Sequence, residues 1–261
     1  MTARPVARAA LAAFALAFGL RAGTALVTEF QPIFPDYYYN DARTNDAAAR
    51  TVLAAWESED GRFFVPRQTQ GYALWLAAVY KATAPAPLIP KLLNSILGAL
   101  SALAWGVAGA VLFGRRAGAI SALLVAVWPS HIFYTSQNFK EAPVLLFLAV
   151  VVCSWVLALA ARTPASRARA LALGAAAMPF GCLIRPYLML FYVAAAAAGA
   201  GAFVARRGRP GLKTAGAVLA AAAFGALLYV GGQRVLRPGQ QGPMDPGSPL
   251  LAAVESHEGD R

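Results

Sequence analysis

The chain has 261 residues, 59% of them hydrophobic and only 13% charged, with a net charge of +11. Soluble domains carry about a quarter charged residues, so the composition excludes an ordinary soluble enzyme. The basic residues fall in clusters between apolar runs rather than among aromatics, which argues against a nucleic-acid surface and matches the positive-inside pattern of membrane proteins.

The twelve carboxylates sharpen that reading. Seven lie between Glu29 and Asp60, Glu141 stands alone, and Asp245, Glu255, Glu258 and Asp260 lie near the C-terminus. The long apolar runs are almost free of them, as expected where a carboxylate in hydrocarbon is costly. The pattern predicts an all-α polytopic membrane protein. It has about seven transmembrane helices and a large, acid-rich first loop.

In chain order, the first span covers about residues 8–27. Arg21 interrupts it, and an uncleaved span fits it better than a signal peptide. The first loop, 28–87, is long enough to hold structure of its own. A helix is expected over 46–56, with Asn45 as its N-cap and Ala47, Val52, Leu53 and Trp56 on one face. A second, over 71–80, is too short to span and reads as interfacial, with Tyr72, Trp75 and Tyr80 near the headgroups. Further spans follow at about 88–113, 117–134, 142–161, 168–184, 187–205 and 212–230. Met178-Pro179 predicts a kink in the fifth, and Arg185-Pro186 a tight turn between the fifth and sixth.

Basic clusters test the topology. Arg115 and Arg116, then Arg162, Arg167 and Arg169, then Arg206, Arg207, Arg209 and Lys213 all fall on the side of the N-terminus if 168–205 is a hairpin. That side is cytoplasmic. The expected location is the plasma (inner) membrane, with the first loop, Glu141, Arg185 and the C-terminal residues extracytoplasmic. Residues 1–233 form the membrane domain. The Gly/Pro-rich residues 234–261 read as the start of a further region, as in the front part of a longer or truncated protein. Cys153 and Cys182 lie in apolar runs and suggest packing rather than a disulfide. The sequence carries no P-loop or dinucleotide fingerprint.

Several segments occur in a suggestive order. They are Asp41-Ala-Arg-Thr-Asn-Asp-Ala-Ala-Ala49, Gly71-Tyr-Ala-Leu-Trp-Leu76, Lys91-Leu-Leu-Asn94, Leu112-Phe-Gly114, Trp128-Pro-Ser130, Ser136, Lys140-Glu141 and Ile184-Arg-Pro186. This set resembles the N-terminal half of GT-C membrane glycosyltransferases of the protein O-mannosyltransferase and aminoarabinose-transferase type. Asn45 stands where that pattern has an aromatic, and Ala73 where it has a proline. The resemblance implies transfer of a sugar from a polyprenyl-phosphate-linked donor to an acceptor, with inversion, at the outer face of the lipid bilayer. It leaves sugar, acceptor and cofactor open, a divalent metal ion being one option.

By that resemblance Asp41 is the base or acceptor-orienting carboxylate, since an attacking hydroxyl must lose its proton. Asp46 could assist, hold a metal with Asp41, or simply complement the helix dipole. Glu141 matches the second acid of the pattern, against a plain pairing with Lys140. Asp36 is a third loop acid. Arg185 and Arg67 could bind the departing phosphate through their planar forks, although Arg185 could equally extend to lipid headgroups. Two other functions fit the sequence: a transporter or flippase component, and an inactive truncated scaffold.

Overall fold

The computed structural model describes residues 4–31, 33, 39–58, 65, 70–207 and 209–235. Asp36, Arg67 and the C-terminal residues 236–261 lie outside the described residues. Among those described, the chain is all-helical, with no strand. Four helices are long and apolar enough to cross a membrane: α1 (Arg4–Phe30, its apolar part Ala10–Phe30), α4 (Leu88–Phe113), α7 (Glu141–Ala160) and α8 (Pro164–Ile184). A fifth arises if α5 (Arg115–Val127) and α6 (Pro129–Ser136) count as one bent span. Two further helices, α9 (Leu188–Arg207) and α10 (Arg209–Val235), occupy the segments expected for the sixth and seventh.

The expected third span, 117–134, is not one continuous helix. It bends by 59° where α5 meets α6. Pro129 is the cause. It disfavours helical geometry at the residue before it, and Trp128 is extended at φ −65°, ψ 116°. It also has no N–H to give the carbonyl four residues back, that of Val125. Arg21 supplies the missing donor. Its Nη2 donates to Val125 O at 2.9 Å and its Nη1 to Ala126 O at 3.0 Å.

Close backbone approach sets the α4–α5 hairpin. Gly114 turns the chain at φ +93°, a conformation open to glycine at little cost. Beyond it, a Cβ on Gly118 would stand 2.6 Å from Gly106 O, so only glycine lets the two helices come this near. At α8, Pro164 occupies the first turn and Thr163 Oγ1 accepts from Ser166 N at 3.2 Å, a capped start.

The loop helices begin earlier and turn differently from the sequence pattern. Helix α2 spans Asn40–Glu57 rather than starting at Asp46, because its buried stripe continues upstream through Asn45 to Ala42. Asn45 is therefore not an N-cap. It is buried in the second turn, and its Nδ2 donates to Asn138 O at 3.1 Å. The buried face is Ala42, Asn45, Ala48, Ala49, Val52 and Ala55, while Ala47 and Trp56 point out. Helix α3 (Gln70–Ala82) lies as expected in sequence, but Tyr72, Leu76 and Tyr80 are buried in a core shared with α2, α7, α8, α9 and α10. Gly71 allows this, because a Cβ there would collide with the carbonyl of Leu183 near the end of α8. The loop helices thus pack on the end of the bundle where α1 and α8 finish and α4 and α7 begin.

Candidate functional site at the loop end of the bundle

At that end a cleft of about 370 Å³ opens among α1, α2, the start of α4 and the segment linking α6 to α7. Thr28 and Glu29 contribute from the last turn of α1. Tyr39, Ala42, Arg43, Asp46, Ala47 and Arg50 come from α2 and its start, Pro87 and Lys91 from α4, and Gln137 and Asn138 from the link. Spacing explains the α2 wall, since positions 42, 43, 46, 47 and 50 form one helical stripe.

Two ion pairs lie in the walls, one joining α1 to α4 and one within α2. Lys91 Nζ stands 2.7 Å from Glu29 Oε2, both partly buried. Arg50 Nε stands 2.8 Å from Asp46 Oδ2, and its Nη2 donates to Pro85 O at 2.8 Å. Asp46 Oδ1 accepts from the Tyr80 hydroxyl, so both oxygens of this carboxylate are engaged. The arginine pKa is raised, first by its hydrogen bond to Asp46. Burial raises the Tyr80 phenol well above its ordinary value, and the bond to Asp46 adds to that. Tyr72 is raised chiefly by burial too. The hydrogen bond from Asn94 opposes that shift, and the charges of Glu141 and Asp46 add to it.

The floor, Gln137 and Asn138, continues into a polar belt of amides that runs on to Asn94 outside the lining. Asn94 Nδ2 donates to Tyr72 Oη at 2.9 Å and to Gln137 O at 2.6 Å. Gln137 Nε2 donates to Thr28 Oγ1 at 2.7 Å and to Ser136 Oγ at 3.2 Å. Asn138 Nδ2 donates to Pro87 O at 3.3 Å. Every amide nitrogen is used. The opposite oxygens, Asn94 Oδ1, Gln137 Oε1 and Asn138 Oδ1, are buried without a donor, as is the Tyr39 hydroxyl.

The residues singled out by sequence divide among three places. Asp46 lines the cleft. Asp41 stands one residue before the cleft-lining Ala42, is exposed, and makes no ion pair among the described residues. Five residues separate it from Asp46, or about 140° around the helix, so the two do not share a face. Glu141 pairs with Arg185 rather than Lys140. Arg185 Nη1 also donates to Tyr187 Oη at 2.9 Å, so start of α7 and end of α8 are tied together beside the cleft, not in it. Among the described residues, no three His, Cys, Asp or Glu side chains converge as a metal-holding group.

Sequence reasoning passed over Glu29, Lys91, Gln137 and Asn138 as site residues. Gln137-Asn138 was visible as a polar pair between two apolar runs. Glu29 and Lys91 are 62 positions apart, and only the packing of α1 on α4 joins them. No family model, curated protein or solved structure matches this chain.

Proposed function

We propose that this chain is a membrane glycosyltransferase. It moves a sugar from a polyprenyl-phosphate-linked donor to an acceptor at the extracytoplasmic face, by inverting displacement, from a domain of seven spans. The observation that carries the reading is a cleft with charged, hydrogen-bonding walls at the end of an apolar helix bundle. A donor with its tail in the bilayer could present its head group there.

The engagement of the acids separates their roles. A general base needs a free oxygen within reach of the proton it takes. Asp46 has both oxygens occupied and Glu141 is held by Arg185. Of these three acids, Asp41 is the uncommitted one and remains the base or acceptor-orienting group of this proposal. Asp46 sets the α2 wall through Arg50 and Tyr80. Arg185 is the cation offered to the departing phosphate, with Asp36 and Arg67 as further substrate contacts. The test is sugar transfer by membranes bearing Asp41→Asn, fed with polyprenyl-phosphate sugars. Transfer is expected to fall by 10²-fold or more, roughly the weight of general base catalysis, with membrane insertion intact. Wild-type rates in that variant would remove Asp41 from the chemistry.

A transporter or flippase has one observation in its favour. Transporters use broken helices and buried ions near the membrane midplane, and this chain has a bent α5–α6 pair beside a fully buried Arg21. Arg21 spends all its donors on protein groups, however. It bonds Thr135 Oγ1, Ala17 O, Ala126 O, Val125 O and His131 Nδ1, leaving nothing for a substrate. Substrate uptake into proteoliposomes without sugar transfer would reverse the preference.

A further inference from the structure

We infer that the cleft floor is a subsite for an uncharged polyhydroxylated ring, read through hydrogen bonds by Tyr39, Gln137 and Asn138. The inference deepens the transferase reading and rests on it for expecting a sugar here. The recognition chemistry comes from the floor itself.

Buried acceptors normally have donors, and an unpaired one costs stability. Three residues lining this one cleft break the rule together: Gln137 Oε1, Asn138 Oδ1 and Tyr39 Oη. The amide orientations are not interchangeable. Asn138 Nδ2 faces the carbonyl of Pro87, which can only accept, and turning that amide over would set oxygen against oxygen. Gln137 is oriented by its donation to Thr28, whose own proton goes to Thr24 O at 2.7 Å. The unmet demand is therefore for donors, and hydroxyl groups supply them.

Charge selects among ligands rich in donors. Glu29 is matched by Lys91 and Asp46 by Arg50, and Arg43 adds a third cation to the lining. A phosphate brings mainly acceptors where the floor demands donors, and a bare cation would meet the wall cations. A neutral ring with several hydroxyls donates to the floor oxygens and accepts from the wall cations. The volume, about 370 Å³, lies at the small end of ligand pockets, which run from roughly 300 to 1,000 Å³. Helix α2 packs chiefly on α3, and a side-chain bond from Asn45 to Asn138 joins it to the floor. The floor oxygens are buried, so the subsite requires α2 to draw back when a ligand enters.

The test uses the full chain in lipid nanodiscs and saturation-transfer NMR with methyl glycosides of several hexoses and pentoses, inorganic phosphate serving as the charged comparison. Tyr39→Phe removes a hydroxyl that holds no partner, so it leaves the fold's hydrogen bonds intact. Gln137→Met removes a floor acceptor at nearly constant volume, together with the donations to Thr28 and Ser136, so its folding is checked by thermal unfolding alongside. At least one glycoside should bind the wild-type chain, with affinity falling about tenfold in either variant and phosphate failing to compete. A wild-type chain that binds no glycoside, a Tyr39→Phe variant that binds as well as wild type, or displacement by phosphate overturns the subsite. Glycoside binding that fades in the variants, from a chain that transfers no sugar, keeps the subsite and sinks the transferase. Transfer with glycoside binding unchanged in both variants does the reverse.

Discussion

Arg21 carries the largest local consequence. It is fully buried in a helix otherwise suited to lipid, and it closes the hydrogen bonds that Pro129 opens. Replacing it with leucine leaves the carbonyls of Val125 and Ala126 and the Thr135 hydroxyl short of a donor in an apolar setting. Hydrogen bonds to charged groups are worth about 1.5–3 kcal/mol each, so Arg21→Leu should lower stability by at least about 2 kcal/mol. Arg21→Lys should recover only part, because one ammonium cannot reach the whole set. Unfolding in mixed detergent micelles measures both. A second prediction concerns Tyr80. Its phenol pKa is raised in the fold, first by burial and then by the Asp46 bond. The neutral phenol is the form the fold favours, so its contribution is complete below the unfolded value of about 10 and is lost as pH rises through the folded value. Stability should fall above about pH 10, and Tyr80→Phe should flatten that slope. Some of this was legible from residues alone: Arg21 stood out as a lone charge in an apolar run, and the loop acids clustered. What each side chain bonds to was not, because Arg21 meets Thr135 across 114 positions and Lys91 meets Glu29 across 62.

At the scale of elements, small residues decide which helices touch. Gly98 faces the Arg21 cluster, and a Cβ there would stand 2.5 Å from Thr135 Oγ1 and 2.7 Å from Arg21 Nε. Gly98→Ala should therefore push α4 away from α1 and α6, at about 1–3 kcal/mol, the usual range for overpacking. The penalty should shrink in an Arg21→Leu background, because one of the two side chains the methyl meets is replaced and Thr135 is no longer held by Arg21; additivity of the two substitutions would refute the coupling. The same geometry explains which elements could be read in advance. Helices α4, α7 and α8 follow from length and apolarity alone. The break between α5 and α6 hides in a continuous apolar run, and Pro129 marks it only when a donor for Val125 is at hand. The start of α2 was misplaced because Asn45 resembles a cap by type, whereas its amide is drawn to Asn138 by tertiary packing.

For the whole molecule, helix direction and charge together predict an orientation that can be tested. Helix α4 begins beside the cleft at Lys91 and ends at the Gly114 turn. Its 26 residues rise about 39 Å at 1.5 Å each, more than the roughly 30 Å hydrocarbon core. The cleft end holds Glu29, Asp41, Asp46 and Glu141. The opposite end of α4 meets Arg115 and Arg116, and the turn from α7 to α8 carries Arg162, Arg167 and Arg169 to the same end. Positive residues favour the cytoplasmic side, so the cleft should face outward. The measurement is labelling of single cysteines by a membrane-impermeant maleimide, in a background where Cys153 and Cys182 are alanine. Ser58→Cys, exposed beyond the end of α2, should react in intact cells. Arg116→Cys, exposed at the start of α5, should react only after the membrane is opened. The reverse pattern would turn the cleft toward the cytoplasm and remove the outer-face chemistry from the proposal. Labelling of both positions in intact cells would mean that α4 does not cross the membrane. The same orientation is predicted by the order of acids and arginines along the chain, because the prediction depends on charge order rather than on contacts.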